Sequence, residues 1–470
     1  MLPDDVLLAM FDFCAREIEV GRKQQAWQTL VQVCRRWRSL VLESPGSLNL
    51  QLICTSRTPA RDMLDVWPPL PLVITSFMHP RDCPMEDVDN IVAVLEHRNR
   101  VCQIQIGNLS SSHLETVLAE MQEPFPELTY LELGCCSYGE IVPVALAVLP
   151  DSFLGGSALW LRQLYFTRIP FPGLPKLLLS ATLLVNLFLH DIPHSGYFSP
   201  EAIATAISTL TTLRDLRLVF QSPLSRPDQT SRHPHPLKRF VLPALTFFWF
   251  KGVGEYLDDL VACIDAPLLK ELLITFFNQI LFDTPQLVKF ISRTSALKAP
   301  EKAHVIFKNG AATIHLSSRV SNYGALTVEI LCKSSDWQVS SLEQVCTSCL
   351  PPLSTLKNLY IVDDLLEDML LSESPYPRPN WQDIIENTLW LELFQPFATV
   401  KNLYLSEEFA PCVMLSLQEL VREGTEEVLP ALQNIFVAEL KTSGPVQKAI
   451  QQFVASRRQS GHRIDVSRWE

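Results

Sequence analysis

The sequence predicts an α/β protein in which a small helical module leads into an irregular solenoid of parallel strands, each returned by a helix. Three observations carry this reading: two amphipathic stripes near the start, a strand pattern that recurs along the rest of the chain, and helical stretches placed between its occurrences.

At 470 residues and 47% hydrophobic, with 24 Phe and 9 Trp, the chain can bury a large core. The 34 Pro belong in turns. A net charge of −12 argues against nucleic acid, which demands a clustered basic surface, and leaves protein as the expected partner. Met1 is followed by Leu2-Pro3-Asp4-Asp5, unlike a signal peptide. The apolar run from Val241 to Phe250 is about half the ~20 residues needed to cross a bilayer. The expectation is a chain that stays in the cytoplasm, the nucleus or both, with no membrane partner and its 12 Cys reduced as small core residues.

In the first module, Val6, Leu7, Met10, Phe11 and Cys14 recur at helical spacing, with Pro3 in the first turn and Asp4 and Asp5 at the positive helix end. Trp27, Leu30, Val31, Cys34, Trp37 and Val41 form a second stripe that stops before Ser44-Pro45-Gly46. The polar stretch Ala15 to Gln25 between them reads as a short helix and loop. So small a unit buries its own apolar faces poorly and calls for a partner.

Residue identity goes further. Leu2-Pro3-Asp4-Asp5-Val6-Leu7-Leu8 through Phe11, then Val33-Cys34-Arg35-Arg36-Trp37-Arg38, Ser44-Pro45, and the alternating Leu48, Leu50 and Leu52 resemble the F-box family in content and order. The resemblance implies a three-helix module over residues 1–52 that docks on a Skp-type adaptor and through it on a cullin. Leu2, Pro3, Val6, Leu7, Val33, Cys34 and Trp37 would face the adaptor, with Phe11 and Leu30 supporting them. A longer Glu17 to Gln25 segment replaces the family's short middle segment. The proline-containing stretch Cys54 to Pro71 looks like the linker of F-box proteins abundant in mushroom-forming fungi. Its prolines favour a stiff connector, and residues 53–84 are expected to be this linker and the start of the solenoid.

Over residues 85–470 the template L-x-x-L-x-L, with Ile, Val or Phe allowed, marks a degenerate leucine-rich repeat. Its anchors are Val101-Ile104-Ile106, Leu128-Leu131-Leu133, Leu161-Leu164-Phe166, Leu184-Leu187-Leu189, Leu213-Leu216-Leu218, Leu237-Phe240-Leu242 or the overlapping Leu245-Phe248-Phe250, and Leu269-Leu272-Ile274. Leu356-Leu359-Ile361, Val400-Leu403-Leu405 and Leu432-Ile435-Val437 follow. Helical stretches Met85 to Glu96, Ser111 to Glu120, Glu201 to Thr209 and Pro445 to Arg457 fall between strands, as a parallel crossover requires. From Leu273 to Leu356 the pattern blurs into the short candidates Val305 to Phe307, Thr313 to Leu316 and Thr327 to Leu331. The expected architecture is a horseshoe with a parallel concave sheet.

Chemistry-bearing motifs are few. Cys346-Thr347-Ser348-Cys349 has redox or zinc half-site spacing but lacks a second pair. Cys135-Cys136 reads as core filling, His233-Pro234-His235 as a solvated loop, and Gly252-Val253-Gly254 as a turn. With no nucleophile, base, metal or cofactor site to assign, the chain is expected to be non-catalytic. The F-box resemblance implies the substrate receptor of a Skp-cullin-F-box ubiquitin ligase; a leucine-rich-repeat scaffold or signalling protein outside a cullin ligase is the alternative.

The residue between the last two anchors of each strand must point away from the core. That row reads Glu132, Tyr165, Phe188, Arg217, Trp249, Leu273, Tyr360, Tyr404 and Phe436. Tyr165, Phe188, Arg217, Trp249, Tyr360, Tyr404 and Phe436 are the candidate substrate contacts, since aromatic and Arg side chains dominate binding hot spots.

Overall fold

A computed structural model describes residues 2–17, 29–44, 51–64, 69–76, 88–136, 148–171, 174–227, 239–279, 282–308, 310–318, 325–363, 387–423, 428–438 and 445–469. The chain divides into two compact units, Met1–Phe198 with Thr209–Leu213, and Ser199–Ser208 with Arg214–Glu470.

The first unit opens with a helix over Asp4–Glu17, whose Asp4 and Asp5 sit in the first turn where the backbone N–H groups are unpaired. The second stripe is not one helix. Residues 29–33 are helical, Cys34 turns extended at φ −157 and ψ 168, and a new helix runs Arg35–Glu43 with the Cys34 sulfur accepting from Trp37 N at 3.5 Å. Arg36 joins the two ends of the module, donating to Asp4 Oδ1 and to Leu2 O, both at 2.6 Å.

Strands β1 (Leu52–Cys54), β2 (Leu72–Ser76), β3 (Val101–Leu109), β4 (Tyr130–Cys135), β5 (Gln163–Thr167) and β6 (Asn186–Ile192) then pair in parallel, each with the next. Within residues 53–84, expected to be the linker and the start of the solenoid, β2 and the end of β1 belong to the sheet. Helices Val88–Leu95 and Ser111–Glu120 return the chain between strands; Ser110 caps the second, accepting from His113 N.

The second unit contains β7 (Asp215–Phe220), β8 (Phe240–Val241), β9 (Phe247–Gly252), β10 (Ile264–Asp265), β11 (Glu271–Phe277), β12 (Lys302–Lys308), β13 (Ala311–Ser317), β14 (Leu326–Leu331), β15 (Asn358–Asp363), β16 (Asn402–Leu405), β17 (Asn434–Ala438) and β18 (Asp465–Trp469). Its main sheet runs β7-β9-β11-β14-β13-β12-β15-β16-β17-β18, while β8 and β10 form a separate two-stranded pair. Of the overlapping frames, Leu245-Phe248-Phe250 supplies the strand of the main sheet.

The sequence reading expected a parallel sheet, but the sheet of the second unit is not parallel throughout. Strand β13 lies antiparallel to both β12 and β14, and this triplet is inserted in reverse order between β11 and β15. Lys308 and Ala311 are direct partners across the antiparallel pair, and Gly310 sits at φ +90, a backbone conformation that favours glycine. Buried Gln338 ties the insert to its helix, donating to Lys308 O at 3.2 Å and Cys332 O at 2.8 Å.

Every template anchor on strands β3 to β7, β9, β11 and β15 to β17 is at most 4% exposed. A buried Leu, Ile or Phe contributes about 1.5–3 kcal/mol, and the regular recurrence of such anchors on parallel strands makes this a leucine-rich-repeat architecture. Among the described residues no helix is long and apolar enough to cross a membrane.

Candidate functional site

Two surfaces stand out. On the N-terminal module, Leu2, Val6 and Val33 are 50%, 39% and 58% exposed, and Pro3 and Cys34 are exposed with them. Leu7 and Phe11 turn inward, at 4% and 2% exposure, because they lie roughly 100° round the Asp4–Glu17 helix from Val6 and Met10. Phe11 packs edge to face on half-buried Trp37 with ring centroids 4.7 Å apart; Leu30 is also half-buried. Leu7 thus serves the module's own core instead of presenting a free contact. Met10, counted in the helical stripe but not among the expected adaptor contacts, and Phe13, which sequence reasoning left aside, are 49% and 61% exposed. Val6, Met10 and Phe13 follow one helical stripe, with Leu2 just ahead of the helix, a spacing readable from the sequence.

The second surface is the outward face of the repeat sheets. Tyr165, Phe188, Arg217, Trp249, Tyr360, Tyr404 and Phe436 are all half-buried there, as alternation requires. The structure gathers them into three groups. In the first unit Tyr165 stacks on Tyr130 at 5.2 Å and meets Phe188 edge to face at 4.4 Å. Tyr130 donates to Glu132 Oε2 at 2.7 Å, and burial pushes its hydroxyl pKa up.

In the second unit Arg217 forks onto Asp215 at 3.1–3.2 Å and lies over the rings of Phe247 and Trp249 at 5.0 and 5.8 Å. Its charge is thereby spent at home. Burial still holds the Asp215 carboxyl above its ordinary range, outweighing the pull of Arg217.

The third group is a ladder. His304, Tyr360, Tyr404 and Phe436 are direct partners across β12, β15, β16 and β17. Their rings stack nearly parallel at 4.2, 4.2 and 4.5 Å. Two residues earlier on the strands, Asn434 Nδ2 donates to Asn402 Oδ1 and Asn402 Nδ2 to Asn358 Oδ1, each at 2.7 Å. Trp469 of β18 adds edge contacts to Tyr360 and Tyr404 at 5.9 and 5.7 Å. Burial, and then the neighbouring Tyr404, push the Tyr360 hydroxyl up to about 12, while burial and Lys302 lower the His304 pKa. Because the ring faces of this ladder are used on one another, ring edges and hydroxyls are what it has to offer a partner.

His304, the three Asn and Trp469 were not singled out from sequence. The Asn sit at the same template position in three strands, which was the available signal. Cys346 and Cys349 lie buried in a π-helical turn, Val345–Cys349, and burial raises both thiols, Cys349 to about 12. Among the described residues no group of three or more His, Cys, Asp or Glu could hold a metal ion; His233-Pro234-His235 falls outside them.

No protein-family model and no curated protein matches the chain. Solved structures similar to it include the leucine-rich repeat-containing protein LegL7 from Legionella pneumophila, at 12% identity and a TM-score of 0.27 over 80% of this chain and 95% of that one. The complex of Rad7 and Elc1 in yeast is another, at 12% identity and a TM-score of 0.27 over 94% of this chain and 91% of that one. At those scores neither likeness carries an argument, and the repeat architecture rests on the strands and their anchors.

Proposed function

We propose that this chain is the substrate-receptor subunit of a Skp-cullin-F-box ubiquitin ligase, working in the cytoplasm or nucleus. The N-terminal module docks on a Skp-type adaptor, and the outward face of the repeats captures a protein substrate. Catalysis is supplied by other subunits, and the receptor contributes proximity.

The observation that carries the reading is the exposed apolar stripe of Val6, Met10 and Phe13, with Leu2 and Val33 also exposed, on a module whose sequence resembles an F-box. A folded unit rarely leaves so many large apolar side chains in water unless a partner covers them. The aromatic sheet face supports the second half, since aromatic groups bury much area with few rotors.

Affinity purification of the tagged chain with the proteasome blocked tests both halves together. A Skp-type adaptor, a cullin and at least one stoichiometric further protein should co-purify. Adaptor without cullin would place the chain outside a ligase, and neither would end the proposal.

A further inference from the structure

Strand β18 is the edge of the second unit's sheet and is held differently from the others. It pairs with β17 from Asn434↔Asp465 to Ala438↔Trp469, yet none of its five side chains is fully buried. At the two positions that face inward in the preceding repeats, it carries half-buried Val466 and exposed Arg468 in place of leucines. Its main side-chain attachment is Trp469. To come within 5.7 Å of Tyr404 and 5.9 Å of Tyr360, the indole reaches back across β17, about two strand spacings of roughly 4.8 Å each.

Small residues make that reach possible. Ala438 stands directly opposite Trp469 on β17. Ser406 N donates to Ile361 O at 3.0 Å, continuing the parallel ladder beyond β16, so Ser406 faces the same side as Tyr404. Larger side chains at 406 and 438 would fill the indole's path. Ser406 Oγ is buried with no hydrogen-bond partner among the described residues, so its desolvation is uncompensated.

We infer that Tyr360, Tyr404, Ser406 and Ala438 form a slot for an aromatic side chain carried on an extended segment, and that β18 with Trp469 occupies this slot in the free chain. A partner's segment adds to the edge of β17 by backbone pairing, as strand-addition complexes do, and seats its own aromatic residue in place of Trp469. A tyrosine is a fitting replacement, because its hydroxyl can serve Ser406. The inference rests on the reading of this face as the capture surface and names the class of substrate it takes.

The probe is a fluorescein-labelled peptide of residues 463–470, titrated by fluorescence anisotropy against the full-length chain. Trp469→Ala should leave the fold intact, checked by circular dichroism and thermal unfolding, and bind the peptide at least tenfold more tightly than wild type. Replacing the peptide's own tryptophan with alanine should weaken binding to the Trp469→Ala chain by at least tenfold; this arm alters no residue of the protein. Equal binding by wild-type and Trp469→Ala chains, or indifference to the peptide's tryptophan, overturns the inference. Adaptor binding by the same proteins separates this from the function itself: a slot that fails in a chain that still binds adaptor refutes only the slot, and a slot that works in a chain that binds none refutes only the receptor reading.

Discussion

Replacing Tyr404 with Ala removes the middle rung of the aromatic ladder, and its cost follows from the stacking geometry. Tyr404 lies between Tyr360 at 4.2 Å and Phe436 at 4.5 Å, with interplanar angles of 10° and 8°. Each aromatic pair contributes about 0.5–1.5 kcal/mol beyond burial. Loss of two stacks plus a half-buried ring therefore costs on the order of 2–4 kcal/mol. Tyr360, between His304 and Tyr404, should cost a similar amount. The two share one stack, so the double variant should fall short of the sum by about 0.5–1.5 kcal/mol. Urea unfolding of wild type, both single variants and the double variant, followed by circular dichroism, closes the cycle. Tyr360 and Tyr165 lie in different units and give an additive control. Additivity of Tyr360 and Tyr404 within about 0.3 kcal/mol would show that the ladder is not a coupled element. The same coupling bears on any test of substrate binding: a protein that co-purifies with wild type and is lost from the double Ala variant reports on binding only when Tyr360→Phe and Tyr404→Phe, which keep the stacks, are compared with it.

Three further tests follow from the structure. Exposed Cys34 should react with a thiol reagent in the native protein well before buried Cys346, Cys349 and Cys412, whose thiols burial raises far above their ordinary range; equal rates in single-Cys variants would contradict the burial. Tyr360 has a pKa raised to about 12 when folded, so between pH 10 and 12 the unfolded chain releases a proton that the folded chain retains. Stability from this group is complete below about pH 10 and declines as pH rises towards 12, and Tyr360→Phe should show a shallower decline in urea midpoint over that window. Leu7→Asp should disrupt the N-terminal module itself, since it buries an unpaired carboxylate at a cost of several kcal/mol, whereas Val6→Asp should leave its helicity unchanged; helix loss in neither or in both would contradict the two faces described.

Much of the repeat sheet was legible because its signal is repeated and redundant. Anchors such as Leu184-Leu187-Leu189 combine alternation, leucine content and spacing, and all three side chains are fully buried. Strands that lack the template escaped: β1 offers Leu52-Ile53-Cys54, and β18 has no leucine. The direction of β13 was hidden for a different reason. Alternation has the same period in parallel and antiparallel strands, so Thr313 to Leu316 revealed a strand and not its orientation. The dipeptide Asn309-Gly310 was the cue that went unread, being a strong two-residue hairpin signal between alternating stretches. The inward turn of Leu7 was readable from the stripe of Val6, Met10 and Phe13, but a resemblance assigns contacts by residue type and cannot say which helix face packs on Trp37. The ring faces of Tyr360 and Tyr404 were out of reach altogether, since a sequence pattern gives the side of the sheet and not the rotamer.

The docking of the N-terminal module through its exposed stripe is tested most directly by titrating purified Skp-type adaptor into the full-length chain by calorimetry. Saturable one-to-one binding to wild type is expected, weakened at least tenfold, or ~1.4 kcal/mol, by Val6→Asp and by Phe13→Asp in chains whose unfolding curves match wild type. No binding to wild type, or binding that both variants retain in full, would contradict it.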